Sequence, residues 1–321
     1  LCTLTALPVL LGLCWVLFAL FRTAGPEDGL AQIFQRALGR LPGKALALLY
    51  LLWGLCLLCV NARLFALRLL STSYRNAPLK LFLVVLLAAL WLARKKLPAL
   101  VRAGEIFYLA LSLCLGVVLF LGLFRVEPQN VLPVWVQDVP EVLRGTLPAL
   151  SVVGYVIFGA FLGGGVARKE GNRRRAMRWA AVFCLVLTLL QWVCLGAFGP
   201  GLTQRMDTPF FMMVKGVGVE GAFGRVESVV IALWVLADLA LLTLLLCSCC
   251  CMAQAVFGFQ RRESAALPLI LLTLAGALFL FPDAFTLYEW IEGWGEAGGL
   301  VFGFLLPALV LPVALLRRKR A

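Results

Sequence analysis

The sequence predicts an all-α polytopic membrane protein, and two observations support this prediction. Hydrophobic residues make up 63% of the 321 residues, which is more apolar surface than a soluble chain of this length can hide. They are concentrated in nine segments that reach, or nearly reach, the about 20 apolar residues that a transmembrane helix needs. The segments do not alternate apolar and polar positions as barrel strands do. The predicted spans are 1–21, 45–70, 79–92, 105–124, 147–166, 179–199, 227–251, 267–281 and 298–316.

The basic residues predict the orientation of these spans. The run Arg317-Arg318-Lys319-Arg320 places the C-terminus in the cytoplasm by the positive-inside rule, and alternate loops then fall on the same side. These inner segments hold more than two thirds of the 29 basic residues. Nine spans place Leu1 outside, so we expect a parent chain with one further N-terminal helix. No linker or break in composition divides the sequence, which predicts one membrane domain over 1–321.

Composition excludes several classes of function. The net charge of +13 comes from cations at helix ends on one side, which indicates membrane topology and contact with anionic lipid rather than nucleic-acid binding. Histidine is absent from the sequence, which removes imidazole catalysis and the common zinc sites. The cysteines at 247 and 249–251 point in different directions on one helix, so we interpret them as packing residues. We therefore predict no enzyme activity, no cofactor and no metal.

Two segments between the predicted spans have sequence patterns that predict their structure. Leu30, Ile33, Phe34 and Leu38 recur at helical spacing before Gly39, which predicts a short amphipathic helix. We expect this helix to lie on the cytoplasmic interface of the membrane. The segment 282–297 carries four acids and no cation, so we expect an outer loop there.

Glycines are densest in the fifth predicted span, 147–166. Such density favours either close helix packing, for which Gly159 and Gly163 have the right spacing, or an unwound stretch that lines a cavity. The residues leave these two interpretations equally open. An unwound stretch would expose backbone groups that can bind a zwitterion or an ion near the midplane. The candidate ligand contacts in this span are Gly154, Tyr155, Gly159, Gly163 and Gly164.

Asp238 is the most informative single residue, because it is an acid near the middle of the seventh predicted span. An ionised group there costs about 2.5–3.5 kcal/mol, so it should face the bundle interior or water. Asp238 would then bind a proton or a substrate ammonium, or tie two helices together as a hydrogen-bonded carboxyl. Gln191 in the sixth span is either its partner or a plain interhelical hydrogen bond. Asn61 is a further candidate contact, near Arg63, whose side chain can snorkel to the headgroups.

Short motifs run through the whole chain in a fixed order. They are Asn61-Ala-Arg63 through Asn76-Ala77-Pro78, Arg102-Ala-Gly-Glu105, Asn130-Val-Leu-Pro133, and Arg225-Val-Glu227 followed by Trp234. In this order and spacing they resemble the spore germination permease family. Its members are the B subunits of GerA-type germinant receptors, within the amino acid/polyamine/organocation superfamily.

The resemblance implies a leucine-transporter-like fold of ten helices in two inverted repeats, of which this chain would hold nine spans. It implies a ligand site among the first, third, sixth and eighth helices, the last three of which correspond to 45–70, 147–166 and 227–251. These are the spans of Asn61, the glycines and Asp238. The implied partners are an A subunit, a C-subunit lipoprotein and the lipid bilayer, and the implied location is the inner membrane of the bacterial spore.

Three functions are therefore in question. The first is a receptor subunit that senses a small germinant, an amino acid, and triggers spore germination. The alternative is a secondary transporter that moves an amino acid with protons or sodium. The third is a structural membrane subunit that binds no ligand.

Overall fold

The computed structural model describes residues 2–25, 28–72, 78–95, 97–131, 139–163, 171–206, 209–217 and 226–320. Within these ranges the chain forms α-helices joined by short turns, and no strand occurs there. The helices are α1 (Cys2–Thr5), α2 (Leu7–Phe21), α3 (Leu30–Leu38), α4 (Arg40–Thr72), α5 (Pro78–Ala93), α6 (Leu97–Leu123), α7 (Val139–Val153), α8 (Val156–Phe161), α9 (Asn172–Thr203), α10 (Pro209–Val217), α11 (Val226–Phe257), α12 (Ala266–Phe279), α13 (Ala284–Trp290), α14 (Glu296–Leu300) and α15 (Leu306–Arg320).

Eight helical stretches in the described ranges are long and apolar enough to cross a membrane, which confirms the predicted all-α polytopic class. They correspond to eight of the nine predicted spans, with shifted ends. The remaining prediction, 79–92, corresponds to α5, whose 16 residues are fewer than the about 20 needed for a full crossing. The fourth stretch, Val139–Phe161, begins before the predicted 147 because Pro140 and Glu141 suit the first turn of a helix.

The core of the bundle is organised around α4, which packs against α3, α5, α11 and α12. Tyr50 on α4 is fully buried and its ring contacts those of Phe34 and Phe161. α4 and α11 approach closely at Gly54, where an added Cβ would lie 2.8 Å from Cys249 Sγ. The cysteines of α11 serve as small packing residues in this interior, and the buried ones are Cys247, Cys249 and Cys250.

The amphipathic helix α3 forms where it is predicted, but it packs on protein. Leu30, Ile33 and Phe34 are almost completely buried, and α3 lies against α4 and α15. It ends at Gly39, whose φ of 106° is one that residues with a Cβ rarely adopt. The apolar face of α3 is therefore covered by protein, because an apolar helix face does not distinguish a lipid neighbour from a protein neighbour, and its place at the membrane interface stays a prediction.

The predicted outer loop 282–297 is mostly helical. Asp283 is the N-cap of α13, since the Thr286 backbone amide and hydroxyl donate to its Oδ1 at 2.8 and 3.0 Å. These hydrogen bonds, the one from the amide first, lower the pKa of the Asp283 carboxyl. Three of the acids that suggested a loop are Glu289, Glu292 and Glu296. Their spacing of i, i+3, i+7 is the spacing of residues on one face of a helix. Two π-helical segments, Ile291–Gly295 and Val301–Leu305, follow before α15.

One end of the bundle collects segments that the charge pattern assigns to the cytoplasm. Arg317 near the C-terminus donates to the carbonyl oxygens of Arg36 and Leu38 at 3.4 and 3.3 Å. Arg262 donates to the carbonyl oxygen of Lys95 at 2.7 Å. Basic segments that are distant in sequence therefore meet at one end of the bundle. That this end faces the cytoplasm stays a prediction.

Candidate ligand-binding site

The stretch Val139–Phe161 is interrupted inside the bundle. α7 ends at Val153 and α8 begins at Val156, with Gly154 and Tyr155 in a turn between them. Hydrogen bonds at the turn span three residues: the Tyr155 amide donates to Val152 O and the Ile157 amide to Gly154 O, both at 3.1 Å. The backbone hydrogen bonds here change from the i→i+4 pattern of an α-helix to an i→i+3 pattern. This change turns the backbone amides and carbonyls in new directions, and broken helices present such groups to a cavity in the same way. The break thus lies at Gly154, the first glycine of the span.

Gly154 brings the break into direct contact with the last spanning stretch. A Cβ at Gly154 would lie 2.8 Å from the carbonyl oxygen of Gly299, and a Cβ at Gly303 would lie 2.8 Å from the Gly154 Cα. Backbone therefore packs on backbone, as in other small-residue contacts between membrane helices. Gly154 is a packing glycine at the point where the helix is interrupted.

Two of the candidate residues meet at the break. Asn61 is buried on α4, and its Nδ2 donates to the carbonyl oxygen of Leu57 at 2.8 Å. Its side chain also lies near the hydroxyl of Tyr155. An amide and a phenol side by side supply both donors and acceptors. The break is therefore lined by polar groups that a small polar ligand could contact.

Asp238 on α11 forms an ion pair with Arg68 on α4. Arg68 Nη1 lies 2.8 Å from Oδ1 and 3.0 Å from Oδ2 of the carboxylate. The guanidinium carbon is 5.6 Å from the centre of the Trp234 ring, within the range of a cation–π contact. The side chain of Asp238 is 11% exposed and that of Arg68 is 25% exposed, so the arginine is the more accessible partner. The described contact of Asp238 is thus a tie between two helices.

The extent of α11 refines the position of Asp238 along its helix. α11 runs from Val226 to Phe257, which places Asp238 about 18 Å from its start and about 28 Å from its end at 1.5 Å per residue. The helix continues six residues beyond the predicted end at 251, so its midpoint shifts away from Asp238. Arg68 lies four residues before the end of α4 at Thr72. The pair therefore lies in the half of the bundle that the charge pattern assigns to the outer side.

Three elements surround the break and the ion pair. Asn61 and Arg68 are seven residues apart on α4, about two turns and 10.5 Å along one helix face. α8 is joined to α11 by Ser248, whose hydroxyl donates to the carbonyl oxygen of Phe158 at 2.8 Å. α4, the α7–α8 stretch and α11 are the elements to which the resemblance assigns ligand binding.

The other candidates have different surroundings. A Cβ at Gly159 would have no atom within 4 Å, which fits a cavity-lining position. Gly163 packs on Phe21, whose ring would be 2.5 Å from an added Cβ. Gly164 lies outside the described residues. Gln191 accepts a hydrogen bond from the Thr3 hydroxyl at 3.1 Å, so its described partner is a neighbouring helix rather than Asp238.

Sequence reasoning missed the role of Arg68 and used Trp234 only as part of a motif. The signals were present, since Arg68 is a base inside an apolar span and Trp234 precedes Asp238 by four residues. Ionisable groups inside membranes usually pair with each other. Apart from Glu227 at its start, the span 227–251 contains one acid, Asp238, and the span 45–70 contains two bases, Arg63 and Arg68. A search for a basic partner of Asp238 in other spans would therefore have suggested the pair.

Comparison with protein families supplies an independent result. A family model described as spore germination protein matches residues 2–284. The match includes α4, α7, α8 and α11, and hence the helix break and the Arg68–Asp238 pair. None of the curated proteins compared with the chain matches it.

Proposed function

Because the chain belongs to the spore germination protein family, we propose that it is the membrane subunit of a germinant receptor that senses an amino acid. The observation that carries the proposal is the Arg68–Asp238 ion pair, which lies about two helical turns along α4 from Asn61 at the helix break. The two charges of the pair are complementary to the carboxylate and the ammonium of an amino acid. Germination would be triggered by the conformational change that follows binding.

An amino acid can replace the ion pair without leaving a charge unpaired. Losing one partner of a buried pair costs about 3–5 kcal/mol, because the other charge stays buried without compensation. A ligand with a single charge would open the pair and separate one of its two charges from the other. A zwitterion instead presents its carboxylate to Arg68 and its ammonium to Asp238. The site should therefore prefer zwitterions to simple amines and carboxylic acids.

The helix break offers a way to transmit binding. The turn at Gly154 and Tyr155 is a short irregular segment of the kind that absorbs hinge motion. Asn61 and Tyr155 lie at this turn, two helical turns along α4 from Arg68. A ligand that contacts the ion pair and the turn more favourably in one conformation shifts the population by that difference in affinity.

The test uses the full chain in phosphatidylcholine nanodiscs and measures thermal unfolding with each of the twenty standard amino acids. A ligand at one hundred times its Kd stabilises by about 2.7 kcal/mol, so at least one amino acid should raise the Tm clearly. Its methyl ester and its decarboxylated amine, each with one charge, should not. A series without any shift would contradict amino-acid sensing.

The ligand-induced Tm shift, measured on variants, tests whether the ion pair belongs to the ligand site. Asp238→Asn should lose the ligand-induced shift, whereas Glu141→Gln, which neutralises an exposed carboxylate on α7, should keep it. Arg68→Lys retains the charge and should keep a reduced shift. An unchanged shift in Asp238→Asn would remove the ion pair from the ligand site.

Secondary transport is the alternative, and the same helix break favours it, because broken helices line the substrate sites of transporters. Proteoliposomes with an imposed proton or sodium gradient distinguish the two functions. Accumulation of the radiolabelled amino acid that gives the largest Tm shift would establish transport. Binding without accumulation is expected for a receptor.

The proposed function implies a cellular location and two protein partners. A receptor subunit would lie in the inner membrane of the spore, with its C-terminus in the cytoplasm as the basic residues suggest. It would assemble with an A subunit and a C-subunit lipoprotein. Affinity purification of the tagged chain from spore inner membranes should recover both, and recovery of neither would contradict the assembly.

A further inference from the structure

A groove of about 480 Å³ opens between three helices at the end of the bundle that holds the basic segments. It lies beside the last part of α2, the first turn of α9 and the last part of α15. Its volume falls in the range of sites for small ligands. The residues that line it are Trp15, Phe18, Ala19, Arg22, Arg173 and Leu315.

One wall of the groove is a single face of α2. Trp15, Phe18, Ala19 and Arg22 follow the spacing i, i+3, i+4, i+7, which aligns side chains along one side of a helix. Trp15 is 48% exposed and Leu315 on the facing helix is 40% exposed. The groove is thus apolar along its length and ends in a guanidinium at Arg22.

Among the described residues, no acidic side chain lines the basic end of the groove. The side chains of Arg22 and Arg173 make no hydrogen bond or ion pair within the part of the chain that the structure describes. Arg173 begins a run of three arginines in the first turn of α9, which has no acid and whose N-cap, Gly171, provides no side-chain cap. The partial positive charge at a helix N-terminus disfavours such cations and favours an anion. An anion bound here would relieve this unfavourable charge distribution.

We propose that this groove binds an anionic phospholipid, with the phosphate at Arg22 and Arg173 and an acyl chain along Trp15, Phe18 and Leu315. Basic pockets between membrane helices on the cytoplasmic side are suited to anionic headgroups. The apolar wall selects a lipid rather than a free phosphate ion, which would gain nothing from it. The site is separate from the Arg68–Asp238 pair and does not depend on the proposed function.

Native mass spectrometry of the delipidated full chain tests the proposal, with phosphatidylglycerol and phosphatidylcholine as the probes. We expect one phosphatidylglycerol to be retained more tightly than any phosphatidylcholine. Arg22→Gln and Arg173→Gln should each weaken its binding about fivefold, and the double variant about 25-fold, because each basic residue contributes about 1 kcal/mol. Arg125→Gln, which removes an exposed arginine after α6, should leave the binding unchanged.

Two further variants separate the lipid site from general effects of charge. Arg22→Lys with Arg173→Lys keeps the charge and should retain the lipid, while Ala19→Trp fills the groove and should weaken binding although every arginine remains. Thermal unfolding in phosphatidylcholine nanodiscs verifies that each variant is folded. Equal retention in the double glutamine variant and in Arg125→Gln would overturn the proposal. Displacement of the lipid by millimolar inorganic phosphate would also overturn it, because the site would then be a phosphate site.

Discussion

Arg68 holds both carboxylate oxygens of Asp238 through the same nitrogen, Nη1, at 2.8 and 3.0 Å. This contact joins α4 to α11 and places a positive and a negative charge together inside an apolar bundle. The carboxylate is shielded and Trp234 covers the guanidinium, so each charge contributes directly to the compensation of the other. The stability of the bundle therefore depends on the same two side chains that we propose as ligand contacts.

A double-mutant cycle measures this dependence. Arg68→Gln and Asp238→Asn are each expected to destabilise the protein by about 3 kcal/mol, the lower part of the range for a buried pair, because Arg68 is partly exposed. The double variant should lose less than the sum, with a coupling energy of about 1–3 kcal/mol. Thermal unfolding in detergent provides the free energies.

The control cycle uses Arg102→Gln and Glu105→Gln. These side chains are exposed and oppositely charged at spacing i, i+3 on α6, and no ion pair joins them in the described part of the chain. Their effects should add within about 0.5 kcal/mol. Additivity at Arg68 and Asp238 as well would mean that the observed contact does not stabilise the fold.

Gly154 at the helix break and Gly159 within α8 should respond to alanine in opposite ways. Gly154→Ala places a Cβ 2.8 Å from the Gly299 carbonyl oxygen, and such overpacking costs about 1–3 kcal/mol. Gly159→Ala meets no atom within 4 Å and should be neutral or stabilise the helix by up to about 1 kcal/mol. Unfolding midpoints of the two variants check this, and equal effects would contradict the close contact at Gly154.

The spans could be predicted from the sequence because burial in lipid requires long apolar helices, whatever their neighbours. The position of the break could not, since Gly154 is fixed by contact with Gly299 and Gly303, far along the chain. The partner of Asp238 was missed for the same reason, because the distance between Arg68 and Asp238 depends on how α4 and α11 cross. Local patterns likewise identified α3 as amphipathic without revealing that it packs on α4 and α15.

The buried hydroxyl of Tyr50 provides another prediction. It donates to the carbonyl oxygen of Phe302 at 2.7 Å, inside the π-helical segment Val301–Leu305. Tyr50→Phe keeps the ring but leaves this carbonyl without its donor, at an expected cost of about 1 kcal/mol. Tyr108→Phe, at a side chain that is 60% exposed, should change stability by less than about 0.5 kcal/mol. The difference between the two unfolding free energies is the measured quantity, and its absence would contradict the Tyr50 bond.

The orientation of the bundle can be tested by cysteine labelling in intact cells. The positive-inside rule places the first turn of α9, with Arg173, in the cytoplasm and the acidic segment around Glu292 outside. Arg173→Cys should therefore resist a membrane-impermeant maleimide until the membrane is permeabilised, whereas Glu292→Cys should react at once. The protein without added cysteine provides the baseline, because it already contains eleven cysteines. Immediate labelling at Arg173→Cys with none at Glu292→Cys would invert the topology. It would also move the Arg68–Asp238 pair to the cytoplasmic half of the membrane, where a germinant outside the membrane would not reach it directly.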